Sequence, residues 1–83
     1  MITLAFAERK KLYKVEGLKN SVLTPKLIEM GLYPGQVVMC MFAAPFGDPL
    51  AVNVGGYLLS LRKEEADLVL LQEESVTELK GGK

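Results

Sequence analysis

The chain has 83 residues, of which 49% are hydrophobic and 24% charged, the composition of one globular domain. It contains no His, no Trp and a single Cys, which excludes Ser-His-Asp and Cys-His catalysis, His-ligated metals and cysteine-based zinc sites. Ordering the chain costs about 1.5 kcal/mol per residue, so a chain this short has little core in which to build an enzyme pocket. These facts favour a binding module over an enzyme.

The charges balance overall but not along the chain. Lys and Arg number 10, as do Asp and Glu, so the strong positive charge typical of nucleic-acid binding is missing. Residues 1–26 nevertheless carry an excess of +4, which includes the cluster Arg9-Lys10-Lys11. Such a cluster is typical of a solvated face, and contact with an anionic surface is the alternative.

The longest apolar run, Val37 to Ala44, is far shorter than the ~20 residues of a membrane helix. With no signal-peptide pattern and one free thiol, we expect a cytoplasmic protein.

The first half of the chain predicts two short strands and one helix. Met1 to Ala7 has Leu4 and Phe6 at a spacing of two, and a second strand-like stretch runs from Leu12 to Gly17. Between Leu23 and Gly31 the pattern becomes helical. Thr24 is a good N-cap, Pro25 fits the first helical position, and the glycine can adopt the left-handed conformation that ends a helix. The apolar face of this helix comprises Leu23, Leu27 and Met30.

The second half predicts further short strands separated by turns. Tyr33-Pro34-Gly35 is typical of a type II turn, so a strand is expected from Gln36 to Phe42 and a loop from Ala43 to Pro49. Gly55-Gly56 predicts a tight hairpin. Its strands would be Leu50 to Val54 and Tyr57 to Leu61, followed by one helical turn within Arg62 to Asp67, a last strand from Leu68 to Leu71 and a polar tail from Glu73 to Lys83. We therefore expect one domain over residues 1–72, mainly β, built as a small barrel of five or six strands with one embedded helix near 24–30.

Three segments in order resemble the ferrous-iron transport protein A (FeoA) family. They are Leu27-Ile28-Glu29-Met30-Gly31-Leu32-Tyr33-Pro34-Gly35, Ala44-Pro45-Phe46-Gly47-Asp48-Pro49-Leu50 and Leu59-Ser60-Leu61-Arg62-Lys63-Glu64-Glu65-Ala66. The resemblance implies an SH3-like β-barrel, a cytosolic location in bacteria, and an accessory role toward the membrane ferrous-iron permease, ferrous-iron transport protein B. It implies structural roles for the matching positions Leu27, Met30, Gly31, Leu32, Pro34, Gly35, Pro45, Gly47, Asp48, Pro49, Leu61, Arg62 and Ala66.

The chain departs from this family near its beginning. Where members have a Leu-rich strand followed by a Pro-Gly turn, this chain has Ala7-Glu8-Arg9-Lys10-Lys11, so its first strand can be placed differently. The family is also similar to the SH3-like domain of iron-dependent transcriptional repressors. A regulatory module of that kind is the alternative function, although the chain has no helix-turn-helix segment of its own.

Several residues invite a chemical role, but a structural one explains them better. Asp48 precedes a proline and has no second ligand nearby, so it is expected to fix its turn and not to bind iron. Glu64, Glu65 and Asp67 suit the start of a short helix, where carboxylates stabilise the backbone dipole. Cys40 lies between two methionines on a strand and is expected to be buried. We therefore expect no catalytic residue, metal or cofactor in the isolated domain.

Two apolar surfaces are possible. Tyr13, Tyr33 and Tyr57 could form an aromatic groove for proline-rich peptides, but the chain has too few aromatic residues for that mode of binding. The strand from Val37 to Phe42 is more informative, because a strand with one solvated face should alternate. If Val38, Cys40 and Phe42 face inward, the outward side chains are Val37, Met39 and Met41, all apolar. Either the helix or N-terminal segment covers this outer row, or the row binds a partner or a second copy.

Overall fold

The computed structural model describes residues 2–72, and the predicted tail over 73–83 lies outside them. Six strands, two short α-helices and a 3₁₀-helix follow one another along the chain. In order they are β1 (Ile2–Thr3), the 3₁₀-helix (Leu4–Phe6), β2 (Leu12–Leu18), α1 (Thr24–Glu29), β3 (Val37–Ala43), β4 (Leu50–Val54), β5 (Tyr57–Leu61), α2 (Lys63–Ala66) and β6 (Val69–Leu71). The expected fold class, mainly β with one helix near 24–30 and a single helical turn near 63–66, is confirmed.

The strands form one antiparallel sheet in the order β1-β6-β2-β3-β4-β5. The β4–β5 hairpin has the predicted bounds and a regular register, from Val54 opposite Tyr57 to Leu50 opposite Leu61. The Pro34-Gly35 turn is also as predicted, because the Gln36 N–H donates to the Tyr33 carbonyl at 3.0 Å. Strand β2 continues through Gly17, where an irregularity shifts its register against β6.

The core lies against one face of this sheet, because every second residue of the central strands is buried. The helical segments cover this face with Leu4, Leu27 and Ala66, and Leu32 follows α1. The buried apolar strand residues are Tyr13, Val15, Val38, Cys40, Leu50, Val52, Val54, Leu61, Val69 and Leu71.

Helix α1 begins differently from the prediction. Thr24 is the first helical residue and not the N-cap, and its hydroxyl donates to the Lys19 carbonyl at 2.6 Å. The residue before the helix is Leu23, whose N–H donates to the hydroxyl oxygen of Ser21 at 3.1 Å. The expected N-cap is therefore wrong, because the threonine side chain bonds to the preceding loop. The C-terminal end is as expected, since Gly31 has a φ of +106°.

The N-terminal strand is shorter than predicted. Of residues 2–7, only Ile2 and Thr3 pair with β6, opposite Leu71 and Leu70, and the chain then turns into the 3₁₀-helix. Leu4 is consequently buried while Phe6 is 69% exposed, so the expected strand over residues 1–7 is wrong beyond Thr3. The basic segment that follows lies beside β3, where the Lys10 N–H donates to the Cys40 carbonyl at 2.7 Å.

Candidate functional site

The face of the sheet opposite the core carries a row of side chains that crosses four strands. Met39 of β3 lies opposite Leu12 of β2 on one side and opposite Asn53 of β4 on the other. Asn53 in turn lies opposite Leu58 of β5, which is 60% exposed. Because residues that are paired across a sheet project to the same side, these four side chains share one face. We call this face, with Val37, Met41, Phe42 and Ala51, the outer face.

A β-bulge enlarges the outer face by one aromatic residue. Cys40 lies opposite Val52 and Phe42 lies opposite Ala51, so Met41 is the extra residue on β3. The bulge turns Phe42 to the same side as Ala51, and its side chain is 59% exposed. The expectation that Phe42 faces inward is therefore wrong, whereas Val38 and Cys40 are buried as expected. The apolar run from Val37 to Ala43 gave no pattern from which this bulge could be predicted.

The centre of the outer face is concave. An open depression of about 380 Å³ is lined by Leu12, Val37, Val38, Met39, Met41, Asn53, Gly55 and Gly56. Val37 is 36% exposed, and Met39 and Met41 are partly exposed, so the sequence-predicted outer row lines this depression together. None of the lining residues is ionisable, and the Asn53 side-chain oxygen accepts a hydrogen bond from the Gly56 N–H at 3.0 Å. The depression can therefore supply apolar contact area but no acid, base or nucleophile.

Three of the acidic residues that the sequence singled out, Asp48, Glu65 and Asp67, act as hydrogen-bond acceptors for the backbone or a neighbouring side chain. Asp48 Oδ1 accepts the Lys63 N–H at 2.9 Å, so the side chain of this loop residue holds the start of α2. Glu65 Oε1 accepts the Arg62 N–H at 2.8 Å, as expected for a carboxylate near a helix N-terminus.

Asp67 differs from the capping role predicted for it, because it follows the last residue of α2. Its Oδ1 accepts a hydrogen bond from the Thr3 hydroxyl at 2.9 Å, and its Oδ2 lies 3.6 Å from Lys19 Nζ. The carboxylate thus connects β1, α2 and the segment after β2.

Cys40 and the three tyrosines form no site. The Cys40 side chain is 2% exposed, and burial raises the pKa of its thiol, an effect that the nearby Arg9 charge opposes. Tyr13 is buried, with its hydroxyl oxygen 3.3 Å from the Glu8 N–H that donates to it, whereas Tyr33 and Tyr57 are exposed. The three rings are therefore not one groove.

The residues that carry the family resemblance lie away from the outer face. Leu27, Leu32, Leu61 and Ala66 are in the core, and Met30 packs against it. Pro34 and Gly35 form the turn before β3, whereas Pro45, Gly47, Asp48 and Pro49 belong to the loop between β3 and β4, and Arg62 precedes α2. Within residues 2–72, no three His, Cys, Asp or Glu side chains are grouped as a metal ion would require. Nor does that part of the chain contain a helix long and apolar enough to cross a membrane.

Comparison with known proteins gives a consistent result. The sequence profile of the FeoA domain matches residues 2–73. A FeoA-like protein from Clostridium acetobutylicum is 38% identical, with a TM-score of 0.79 over 86% of this chain and 84% of that one. FeoA from Stenotrophomonas maltophilia, solved with zinc and described as a prokaryotic SH3 domain protein, is 28% identical, with a TM-score of 0.77 over 87% and 91% of the two chains.

The same fold recurs in a larger protein. The manganese regulator SloR matches with a TM-score of 0.72 over 88% of this chain and 34% of that one, at 15% identity. Identity this low shows only a shared fold. Together with the FeoA structures, it confirms the expected SH3-like architecture.

Proposed function

This chain belongs to the FeoA family, and from that premise we propose that it is a non-enzymatic cytosolic accessory protein of ferrous-iron uptake that binds the membrane ferrous-iron permease. The Stenotrophomonas maltophilia relative is described as a candidate bacterial ferrous iron transport activating factor, which supports this role. The proposal places the protein at the inner side of the membrane only through its partner. It acts by surface complementarity, without a metal or cofactor of its own.

The observation that carries the proposal is the apolar, uncharged outer face. Fully burying an exposed aliphatic or methionine side chain contributes roughly 1.5–3 kcal/mol. Val37 is 36% exposed and Met39 and Met41 are partly exposed, so a partner that covers them gains a fraction of that amount from each. Leu12, Phe42 and Leu58 extend the same surface across the sheet. An exposed apolar surface of this kind is typical of a protein-binding site.

Lys14 of β2 borders the outer face. It lies opposite Val37, so its side chain projects to the same side of the sheet. A partner that fits should therefore present an apolar centre and an acidic group at the corresponding border.

The proposal is tested by placing a charge in the centre of the outer face. Met39→Glu is expected to weaken binding to the purified cytosolic domain of the permease by at least about tenfold, since the interface would bury an unpaired carboxylate. Val22→Glu is the matched control, because Val22 is 94% exposed in the segment before α1 and outside the outer face. Calorimetric titration gives both dissociation constants.

A second variant keeps the test valid if the first one unfolds. Met39 is partly buried, so thermal melting of Met39→Glu must be measured alongside binding. Phe42→Asp changes a side chain that is 59% exposed and is expected to weaken binding while the melting temperature stays close to that of the wild type. Wild-type binding by folded Phe42→Asp and Met39→Glu would exclude the outer face as the permease contact. Failure of the wild type to bind would exclude the partner itself.

A further inference from the structure

Strand β5 is an edge strand, and its residues are of a kind that allows a further strand to pair with it. Within residues 2–72 its only strand neighbour is β4. Proteins usually protect such an edge with a charged residue, a proline or a bulge. Tyr57–Leu61 contains no charge and no proline, and its register with β4 is unbroken. Tyr57 is 76% and Leu58 60% exposed. None of these three protections is therefore present within Tyr57–Leu61.

The register shows which backbone groups face the open side. A two-residue turn joins Val54 to Tyr57, and residues flanking such a turn form a hydrogen-bonded pair. Because hydrogen-bonded and non-hydrogen-bonded pairs alternate, the N–H and C=O groups of Leu58 and Ser60 point away from β4. Beyond them the Arg62 N–H donates to Glu65 Oε1. The open edge is thus short, and it is centred on Leu59.

We propose that β5 pairs with β5 of a second copy of this chain, antiparallel and about a twofold axis at Leu59. In this register Leu58 of each copy lies opposite Ser60 of the other. Every outward N–H of these two residues then meets an outward carbonyl, which satisfies both edges at once. Tyr57 of one copy comes to lie beside Leu61 of the other, and its exposed ring is covered.

Charge permits a second copy at this edge, whereas the small area limits how tightly it binds. The register places Arg62 opposite Gly56 of the other copy, so no like charges meet across the new ladder. One short strand, however, covers only a few hundred Å² on each copy, less than the roughly 800 Å² per partner of a stable interface. We therefore expect a weak, concentration-dependent dimer and not a permanent one.

The dimer would also join the two outer faces into one surface. Leu58 belongs both to the outer face and to the edge, so the row that starts at Leu12 would continue across the twofold axis into the second copy. A partner could then meet twice the apolar area that one copy offers. The pairing itself depends only on β5 and does not require the permease.

The test combines sedimentation with a proline substitution at the edge. The weight-average mass of the wild type is expected to rise above the 9.1 kDa of one chain as its concentration increases toward about 1 mM. Ser60→Pro removes an outward N–H at a position where an edge strand tolerates proline, and it is expected to weaken association at least about tenfold. Ser60→Ala, which keeps the N–H, is the matched control and should associate like the wild type. Leu58→Lys should stay monomeric because like charges would flank the axis.

Amide hydrogen exchange of the wild type gives a readout that needs no variant. Exchange at Leu58 and Ser60 should slow as concentration rises, whereas the Leu59 amide, bonded to β4, should be protected throughout. A monomer at every concentration would overturn the proposal. So would Leu58 and Ser60 amides whose protection is independent of concentration, or a Ser60→Pro variant, folded by circular dichroism, that associates as strongly as Ser60→Ala.

Discussion

Gly31 and Gly35 allow backbone strain to be separated from crowding in this fold. Gly31 has a φ of +106° and Gly35 a φ of +93°, a conformation that costs other L-residues roughly 1–2 kcal/mol. A Cβ atom at Gly31 would lie 3.2 Å from Cγ1 of Val54, whereas one at Gly35 would have no atom within 4 Å. The two sites thus share the strain and differ in the contact.

The contact should make one substitution markedly worse than the other. Val54 is 3% exposed, so its side chain has little room to yield, and overpacking a core typically costs about 1–3 kcal/mol. We expect Gly31→Ala to lower the free energy of unfolding by about 2–5 kcal/mol, from strain and crowding together. Gly35→Ala should lower it by only about 1–2 kcal/mol. Gly31→Val, with two further methyl groups at the same place, should lose more than either.

Urea unfolding of the three variants measures these differences directly. A domain of this size shifts its melting temperature by roughly 4–8 °C per kcal/mol, so thermal melting resolves them as well. The double variant Gly31→Ala/Val54→Ala lacks the crowded methyl group. Its loss of unfolding free energy should therefore be smaller than the sum of the losses of the two single variants. Equal losses for Gly31→Ala and Gly35→Ala would refute the crowding argument, and a wild-type midpoint for Gly31→Val would refute the strained end of α1.

Three further predictions concern single side chains and metal binding. Asp67→Ala should lower the free energy of unfolding by about 1–2 kcal/mol because it removes the acceptor of the Thr3 hydroxyl. Lys19→Ala should lower it by less than about 1 kcal/mol, since the Lys19–Asp67 ion pair is half exposed. Chemical denaturation that gives the reverse order would contradict this. Burial raises the pKa of the Cys40 thiol, so the unfolded chain loses this proton at lower pH than the folded chain, and stability should fall as pH rises above the ordinary thiol pKa of about 8.5. The fall should be smaller in Cys40→Ala, and the folded wild type should react slowly with a thiol reagent that modifies the unfolded chain quickly. Finally, the isolated domain is expected to bind neither ferrous iron nor zinc tightly, and anaerobic calorimetry that finds stoichiometric micromolar binding would contradict this.

The sequence alone determined the elements whose geometry depends on neighbouring residues. The Pro34-Gly35 turn, the hairpin at Gly55-Gly56 and the end of α1 at Gly31 were all predicted correctly. Each depends on which backbone angles a residue can adopt, and proline and glycine fix that choice without reference to the rest of the fold. Two of these signals, the helix end at Gly31 and the Pro34-Gly35 turn, also lie in the first of the three segments that carried the family resemblance.

Tertiary structure decided what depends on residues far apart in the chain. Thr24 is not an N-cap, because its hydroxyl donates to the Lys19 carbonyl, and the first strand ends at Thr3, where β6 stops pairing with it. The bulge that turns Phe42 outward exists only in the register between β3 and β4. The outer face is likewise a product of pairing, since Leu12 and Leu58 are brought into line with Met39 by ladders that join separate strands. Alternation within one strand predicts which side a residue faces, but only strand pairing determines which residues become its neighbours there.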